Sequence, residues 1–240
     1  MRVTTLLLLL ILPAAAASTQ EPAESRGEMF AAVEKLIERT ADETGVSSLS
    51  DPVAEAVRTV PRHHFVPDDQ RDNAYRNRPL PIGYGQTISQ PYIVALMTEL
   101  LDLQPGDRTL ELGTGSGYQA ALLAAIVNHV YSIEIVPELA ERASRTLPDN
   151  GFDNVTVRQG DGYHGWPEHA PFDAIVVTAA ADHVPPPLIQ QLAPGGRLVL
   201  PLGNPYANQT LTVVEKLEDG SVRNRQILPV RFVPLTRGGD

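Results

Sequence analysis

The 240-residue chain contains no cysteine. Disulfide bonds, thiolate catalysis and zinc sites that use cysteine are therefore excluded. Positive charge is also scarce, because 19 lysines and arginines stand against 29 aspartates and glutamates and leave a formal net charge of -10. Binding to a phosphate backbone requires a basic face, so this balance argues against nucleic acid as a partner.

The sequence also lacks the biased amino-acid composition that is typical of disordered or fibrous proteins. Hydrophobic residues make up 42% of the chain, which is enough for the core of one compact domain with a modest extension. We find no internal repeat in the sequence.

The first residues follow the three-part pattern of a secretory signal peptide. Met1-Arg2 is a positive start, residues 3–12 are almost wholly apolar, and small residues follow Pro13. The apolar run is short for a bilayer core of about 30 Å. We therefore expect a signal peptide over residues 1–17 and a periplasmic protein without stable membrane insertion after cleavage. An uncleaved anchor is the alternative, and the protein is cytoplasmic if the segment is not a functional signal.

The rest of the chain begins with helices and a long loop. Residues 18–27 are polar and are interpreted as a linker, so we expect the main domain over residues 28–240. Its first part, residues 28–101, contains three amphipathic helix patterns and a loop at 61–86 with four prolines and two glycines. Long loops inside compact domains are usually functional.

From residue 108 onwards, strand patterns alternate with helix patterns, which is typical of a parallel sheet with right-handed crossovers. Two further strands flank the turn at 218–220 and indicate an antiparallel pair at the sheet edge. We predict an α/β fold with a Rossmann-like, doubly wound mixed sheet. Helices should cover both faces, with a helical extension before the sheet and antiparallel strands after it.

A loop of small residues joins the first of these strands to its helix: Gly113, Thr114, Gly115, Ser116, Gly117. Glycines let the backbone approach a ligand closely. A dinucleotide site needs G-x-G-x-x-G, and Tyr118 stands where that motif requires its third glycine. Glu111, just before the loop, fits a pyrophosphate poorly and an ammonium group well. S-adenosylmethionine carries an ammonium group and a carboxylate but no phosphate.

Two further acids follow predicted strands. Glu134 ends the second strand and can accept hydrogen bonds from a ribose diol. Asp161, beside Gly162, follows the third strand and can accept from an adenine amino group. Carboxyl ends of parallel strands form the ligand edge of open α/β sheets, so the set predicts an S-adenosylmethionine site. The alternative is that the acids are solvated strand ends and that the glycines only make a tight turn.

Several segments resemble the protein-L-isoaspartate O-methyltransferase family, a group of class I S-adenosylmethionine-dependent methyltransferases. The resemblance covers roughly residues 28–237. It is most specific at 80–91, which has the sequence LPIGYGQTISQP. Other matching segments are residues 111–117, 160–163, 171–175, 194–198 and 230–236.

The resemblance implies methyl transfer to L-isoaspartyl, and more weakly D-aspartyl, residues of damaged proteins or peptides, which initiates repair. It implies Ser89 as the active-site position, with Gln86, Thr87 and Ile88 in the substrate and cofactor loop. The implied cofactor contacts are Gly113, Glu134, Asp161, Gly162 and Thr236. The chain departs from the family in its export pattern and at Asp182-His183, which could alter the rim of the site.

Chemistry restricts what Ser89 can do. A carboxylate is already ionised near pH 7, so it needs no general base to accept a methyl group. Ser89 lies in no G-x-S-x-G motif and is not expected to be a nucleophile. We expect its hydroxyl to orient the substrate carboxylate. The alternative is a helix N-cap, because Pro91 follows two residues later.

The sequence is also compatible with two other functions. The protein could methylate a different acceptor, or it could be an exported binding protein that keeps the fold without catalysis. No metal site is expected, because the histidines lack metal-ligand spacing. Tyr163 and Trp166 could line the cofactor pocket or pack in the core. We expect a monomer.

Overall fold

The computed structural model describes residues 22–204 and 206–238. The expected signal peptide over residues 1–17 lies outside the described residues, as do residues 18–21 of the expected linker. Within residues 22–204 and 206–238, none of the helices combines the length and the apolar character that a membrane crossing requires.

The chain begins with three helices: α1 (Pro22–Arg39), α2 (Ala41–Thr44) and α3 (Asp51–Thr59). The linker prediction is therefore wrong for residues 22–27, which form the first turns of α1. Proline is compatible with the first turn of a helix, and Glu24 complements the positive end of the helix dipole. Val33 and Ile37 then bury the inner face of α1 in the core.

The segment predicted as a loop, residues 61–86, contains short secondary-structure elements. It contains the 3-10 helices Arg62–Phe65 and Asp68–Asn73, followed by a hairpin of β1 (Leu80–Gly83) and β2 (Gln86–Ile88). Tyr84 and Gly85 at its tip both have positive φ, which is the turn geometry that two-residue hairpins favour. Helix α4 (Pro91–Leu100) follows the hairpin.

The remaining elements alternate as the sequence predicts. They are β3 (Arg108–Leu112), α5 (Tyr118–Ala124), β4 (His129–Glu134), α6 (Pro137–Asp149), β5 (Val155–Gln159), β6 (Phe172–Val177), α7 (Pro186–Gln191), β7 (Leu192–Gly203), β8 (Gln209–Lys216) and β9 (Val222–Val230). Two 3-10 turns, Gly162–His164 and Pro167–His169, lie between β5 and β6. The strands form one sheet in the order β5-β4-β3-β6-β7-β8-β9.

Strands β3 to β7 are parallel, whereas β8 is antiparallel to both of its neighbours. Both faces of the sheet are buried. Leu110 and Leu112 of β3 point into one hydrophobic core with α7, and Val176 of β6 points into the other with the N-terminal helices. The predicted mixed, doubly wound α/β fold is confirmed.

The strand order places a ligand site. After β3 the chain builds β4 and β5 on one side, and it then returns to form β6 on the other side of β3. Ligands of open α/β sheets bind beyond the carboxyl ends of the strands at such a switch point. The glycine loop leaves β3 at this position.

Candidate active site

An open cleft of about 580 Å³ lies at the carboxyl ends of β3, β4 and β6. We call it the cofactor cleft. Its walls include several of the predicted site residues: Gln86, Thr87, Gly113, Gly115, Glu134, Gly162 and Thr236. The sheet edge therefore brings most of the predicted cofactor residues together around one cleft.

The glycine loop is tightly fixed at Gly113. Its φ is +93°, and an added Cβ would lie 2.4 Å from Thr178 Oγ1. Thr178 Oγ1 is itself 3.0 Å from the Leu112 carbonyl and 2.6 Å from the Gly113 carbonyl. The Gly113 amide donates to the Ile133 carbonyl at 2.8 Å. This position leaves no room for a side chain.

The carboxylate of Glu134 braces the same loop. It accepts hydrogen bonds from the Gly115 amide at 2.7 Å and from the Val136 amide at 2.9 Å. Only 4% of the residue is exposed, yet it lines the cofactor cleft. Each carboxylate oxygen can accept a second hydrogen bond. Glu134 can therefore hold the loop and bind a ligand hydroxyl at the same time.

Glu111 occupies a different place from the one the sequence suggested. Its side chain is fully buried beneath the loop, and it does not line the cofactor cleft. Glu111 Oε2 accepts from Ser132 Oγ, which also contacts Thr114 Oγ1. Strand alternation explains the correction, because Leu110 and Leu112 point to the opposite face of the sheet. Glu111 supports the loop from below.

Burial raises the pKa of the Glu111 carboxyl to about 8, with the negative charge of Glu134 adding to the shift and the Ser132 hydrogen bond opposing it. A raised pKa means that the folded protein retains a proton which the unfolded chain releases above its ordinary pKa of 4.5. The contribution of Glu111 to stability is therefore fully present below that value. It is lost progressively as the pH rises to about 8.

Replacing Glu111 with glutamine removes this titration. Because the variant retains no proton on folding at this site, its melting temperature relative to wild type should rise by about 10 °C between pH 5 and pH 8. Thermal denaturation of both proteins in the same buffers measures this difference and cancels the other groups. A difference that stays constant over this pH interval would show that Glu111 is ionised in the folded protein.

Asp161 is held by the C-terminal segment. Its carboxylate accepts from the Tyr163 amide at 2.9 Å, from the Gly238 amide at 3.1 Å and from Arg237 Nε at 3.2 Å. Partial burial raises the pKa of Asp161, but these donors outweigh it and keep the pKa below its ordinary value. The residue lies next to Gly162 at the edge of the cofactor cleft rather than on its wall. An adenine amino group would share a carboxylate that already accepts three hydrogen bonds from the protein.

Two other predicted site residues, Gly117 and Ile88, pack against other parts of the protein. Gly117 begins α5 with a φ of +88°, and an added Cβ would lie 3.3 Å from Leu147 Cγ of α6. It therefore serves helix packing and does not reach the cofactor cleft. Ile88 is 3% exposed and packs in the core, and it also borders the narrow space beside Ser89.

A second cavity of about 790 Å³ opens beside the first and is lined by Ser89, Gln90, Ile93 and Phe232. We call it the Ser89 cavity. Thr87 and Thr178 line both the Ser89 cavity and the cofactor cleft. A narrower space between Ser89 and the glycine loop is lined by both of them and by Tyr118. Two ligands could thus meet near Ser89.

The helix-cap interpretation of Ser89 is wrong. Gln90 is the N-cap residue of α4, and no side chain caps that helix end. Ser89 is half-buried, and its carbonyl accepts from Arg62 Nη2 at 2.7 Å. Its hydroxyl is therefore not committed to the helix.

Three residues of the site were not among the residues predicted from the sequence. Thr178 follows β6, while Phe232 and Val233 come from the segment after β9, and all three line these cavities. Position immediately after a strand was the signal for Thr178, and Phe232 and Val233 lie in the family-like segment 230–236. Trp166, by contrast, packs edge-on against Tyr131 in the core.

Tyr163 lies near the Asp161 end of the site. Its ring lies 3.5 Å below the Arg237 guanidinium, and its hydroxyl is 3.1 Å from His183 Nε2. The unusual Asp182-His183 pair therefore contacts the rim. Within the described parts of the chain, there is no group of three or more His, Asp or Glu side chains that could hold a metal.

Comparison with known proteins adds an independent finding. A family model described as protein-L-isoaspartate(D-aspartate) O-methyltransferase matches residues 31–240. The chain is 59% identical over 214 residues to protein-L-isoaspartate O-methyltransferase 2 of Syntrophobacter fumaroxidans, covering 89% of this chain and 87% of that one. It is 58% identical over 208 residues to the protein of the same name from Polaromonas sp. strain JS666, covering 87% and 99%.

Solved structures give the same result. A protein-L-isoaspartate O-methyltransferase aligns with a TM-score of 0.77 and 30% identity, over 88% of this chain and 66% of that chain. A second such structure, from Plasmodium falciparum in complex with S-adenosyl-L-homocysteine, aligns with a TM-score of 0.71 and 25% identity, over 86% and 98%. The similarity therefore extends over most of the chain.

Proposed function

The chain belongs to the protein-L-isoaspartate(D-aspartate) O-methyltransferase family, and from this premise we propose how its two cavities divide the reaction. The protein is an S-adenosylmethionine-dependent enzyme that methylates the carboxylate of L-isoaspartyl and D-aspartyl residues in damaged proteins. The cofactor cleft takes S-adenosylmethionine, and the Ser89 cavity takes the damaged residue. The observation that carries this division is the junction at Thr87 and Thr178, which line both spaces.

The residues present fit the cofactor. Gly113, where an added Cβ would meet Thr178 Oγ1, lets the loop keep the conformation in which it borders the cleft. Glu134 has acceptor capacity for the ribose hydroxyls. Gly162 and the neighbouring Asp161 are placed for the adenine, and Thr236 closes the cleft from the C-terminal segment.

S-adenosylmethionine supplies a methyl group on a positively charged sulfur, which is a good leaving group. The protein must therefore place a carboxylate oxygen in line with that methyl group and exclude water. No side chain needs to remove a proton, since the acceptor is already ionised. The hairpin residue Thr87 lines both cavities and can contact both ligands, whereas Gln86 lines the cofactor cleft.

Ser89 is assigned to hold the acceptor carboxylate through a hydrogen bond from its hydroxyl. A hydrogen bond to a charged group contributes about 1.5–3 kcal/mol. Its loss in Ser89→Ala should therefore lower kcat about 10-fold. Affinity for S-adenosylmethionine should change little, because Ser89 does not line the cofactor cleft. Transfer of labelled methyl groups to an L-isoaspartyl peptide measures the effect.

Ser144→Ala is a matched control for this substitution. Its hydroxyl donates only to the Ala140 carbonyl within α6, so its loss should leave kcat unchanged. Equal kcat values for the Ser89 and Ser144 variants would remove Ser89 from the mechanism. A wild-type protein without methyl transfer to the peptide would contradict the proposed function itself.

We further propose that residues 1–17 act as a signal peptide and that the mature enzyme works as a monomer in the periplasm. The sequence pattern of residues 1–17 supports export. Mass spectrometry of the protein from periplasmic fractions should find a mature N-terminus near Ser18. An intact N-terminus in the cytoplasmic fraction would contradict export. Analytical ultracentrifugation should give the mass of one chain, and the mass of a dimer would contradict the monomer.

A further inference from the structure

Arg62 is a buried charge without a counterion. Its side chain is among the largest fully buried side chains, with 0% exposure. No Asp or Glu among residues 22–204 and 206–238 forms an ion pair with it. Burying an unpaired charge is costly, and packing alone could be achieved with an apolar residue. The presence of a charged guanidinium at this buried position therefore indicates a role for its hydrogen-bond donors.

The guanidinium links two segments that are distant in sequence. Arg62 Nε donates to the Ala74 carbonyl at 2.8 Å, and Nη2 donates to the Ser89 carbonyl at 2.7 Å. The third nitrogen, Nη1, is buried on the side of Tyr118 and meets the hydrogen-bond criteria with no atom of the described residues. Burial lowers the pKa of Arg62 to about 10, so the side chain remains charged near neutral pH and both hydrogen bonds are charge-assisted.

The guanidinium is also held from the other side. Its central carbon lies 4.8 Å from the ring centroid of Tyr118, and Tyr118 lines the narrow space between Ser89 and the glycine loop. Arg62 is thus fixed between the hairpin segment and the first turn of α5. A group fixed in this way can fix the peptide that it contacts.

The Ser89 carbonyl belongs to the peptide that connects the hairpin to α4. Holding that carbonyl sets the orientation of the Ser89 main chain and hence the direction of its Cβ and hydroxyl. The residue that needs exact placement is therefore anchored by its backbone rather than by its side chain. That arrangement leaves the hydroxyl available for a substrate.

We propose that Arg62 is a positioning residue that acts through the Ser89 carbonyl to aim the Ser89 hydroxyl at the acceptor carboxylate. This inference rests on the proposed function. It assigns a role in catalysis to a residue that touches neither ligand. Arg62 should influence the same step as Ser89 and leave the binding of S-adenosylmethionine unchanged.

Arg62→Met and Arg62→Lys test the proposal. Methionine fills similar space but donates no hydrogen bond, so kcat should fall about 10-fold, the same loss that we predict for Ser89→Ala. Lysine keeps the charge and one donor, so the loss should be only about 3-fold. The affinity for S-adenosylhomocysteine, measured by calorimetry, reports whether each variant is folded and should match wild type.

A double-mutant cycle separates positioning from a purely structural role. In a Ser89→Ala background, Arg62→Lys should change kcat by less than about 2-fold, because the hydroxyl that Arg62 aims is already gone. Arg58→Met is a control, since Arg58 also lies over an aromatic ring, that of Phe30, but has no contact with Ser89. It should leave kcat unchanged.

Two outcomes would overturn the inference while leaving the proposed function intact. One is a wild-type kcat in Arg62→Lys and in any folded Arg62→Met. The other is a loss of kcat that persists unchanged in the Ser89→Ala background. Should Arg62→Met not fold, the lysine variant and its cycle decide the question. A wild-type enzyme that does not methylate the isoaspartyl peptide contradicts the proposed function instead.

Discussion

Gly113→Ala is expected to weaken the binding of S-adenosylhomocysteine by more than about 100-fold, since even a displacement of the glycine loop by one ångström disrupts a preformed site. The added Cβ would lie 2.4 Å from Thr178 Oγ1. Thr178 cannot easily move, because its hydroxyl contacts the Leu112 and Gly113 carbonyls. The loop must therefore shift out of the geometry that forms the cofactor cleft.

Gly220→Ala is a matched control for this prediction. Gly220 has a φ of +82°, close to the +93° of Gly113, but an added Cβ there would meet no atom within 4 Å. Both variants carry the backbone strain of a positive φ, and only one of them displaces the loop. Calorimetric titration should give a wild-type affinity for Gly220→Ala. Equal affinities in the two variants would show that the close approach at Gly113 is not required for binding.

Glu134→Ala is expected to weaken cofactor binding by about 100-fold, because charge-assisted hydrogen bonds contribute about 1.5–3 kcal/mol each. The alanine variant loses the acceptors for the Gly115 and Val136 amides as well as those for the ribose. Glu134→Gln should also be impaired, since its amide nitrogen would face one of these N–H donors. Glu138→Ala, at an exposed position in the first turn of α6, is the control and should bind normally.

A modified ligand distinguishes the two roles of Glu134. An analogue of S-adenosylhomocysteine without the ribose hydroxyls should bind weakly to wild type. If Glu134 contacts the ribose, Glu134→Ala should bind the analogue and the parent compound with similar affinity. A variant that still prefers the parent compound as strongly as wild type does would limit Glu134 to bracing the loop.

The sheet and the cleft were predictable because their signals are local. Alternating strand and helix patterns identify parallel strands, and acids and glycines at strand ends converge at one edge whatever the details of packing. Gly113, Gly115 and Glu134 therefore lie where the sequence places them. The start of α1 was not predictable in this way, because residues 22–27 contribute little to the apolar stripe that identifies a helix.

Side-chain direction was harder to predict. Glu111 and Ile88 both belong to the right segments, but strand alternation turns Glu111 under the loop and tertiary packing draws Ile88 into the core. Gly117 is explained by a contact with Leu147 of a different helix. The contact of Arg62 with Ser89 joins residues 27 positions apart. Such long-range contacts leave no pattern in a single sequence.

The central claim is that this cleft delivers a methyl group to an isoaspartyl carboxylate placed beside Ser89. The most direct test uses two peptides that differ only in having an L-isoaspartyl or an L-aspartyl residue at one position. Each is incubated with the enzyme and labelled S-adenosylmethionine, and methyl ester formation is measured. We predict rapid labelling of the isoaspartyl peptide and background labelling of the aspartyl peptide. Equal labelling of the two peptides, or labelling of neither, would contradict this account.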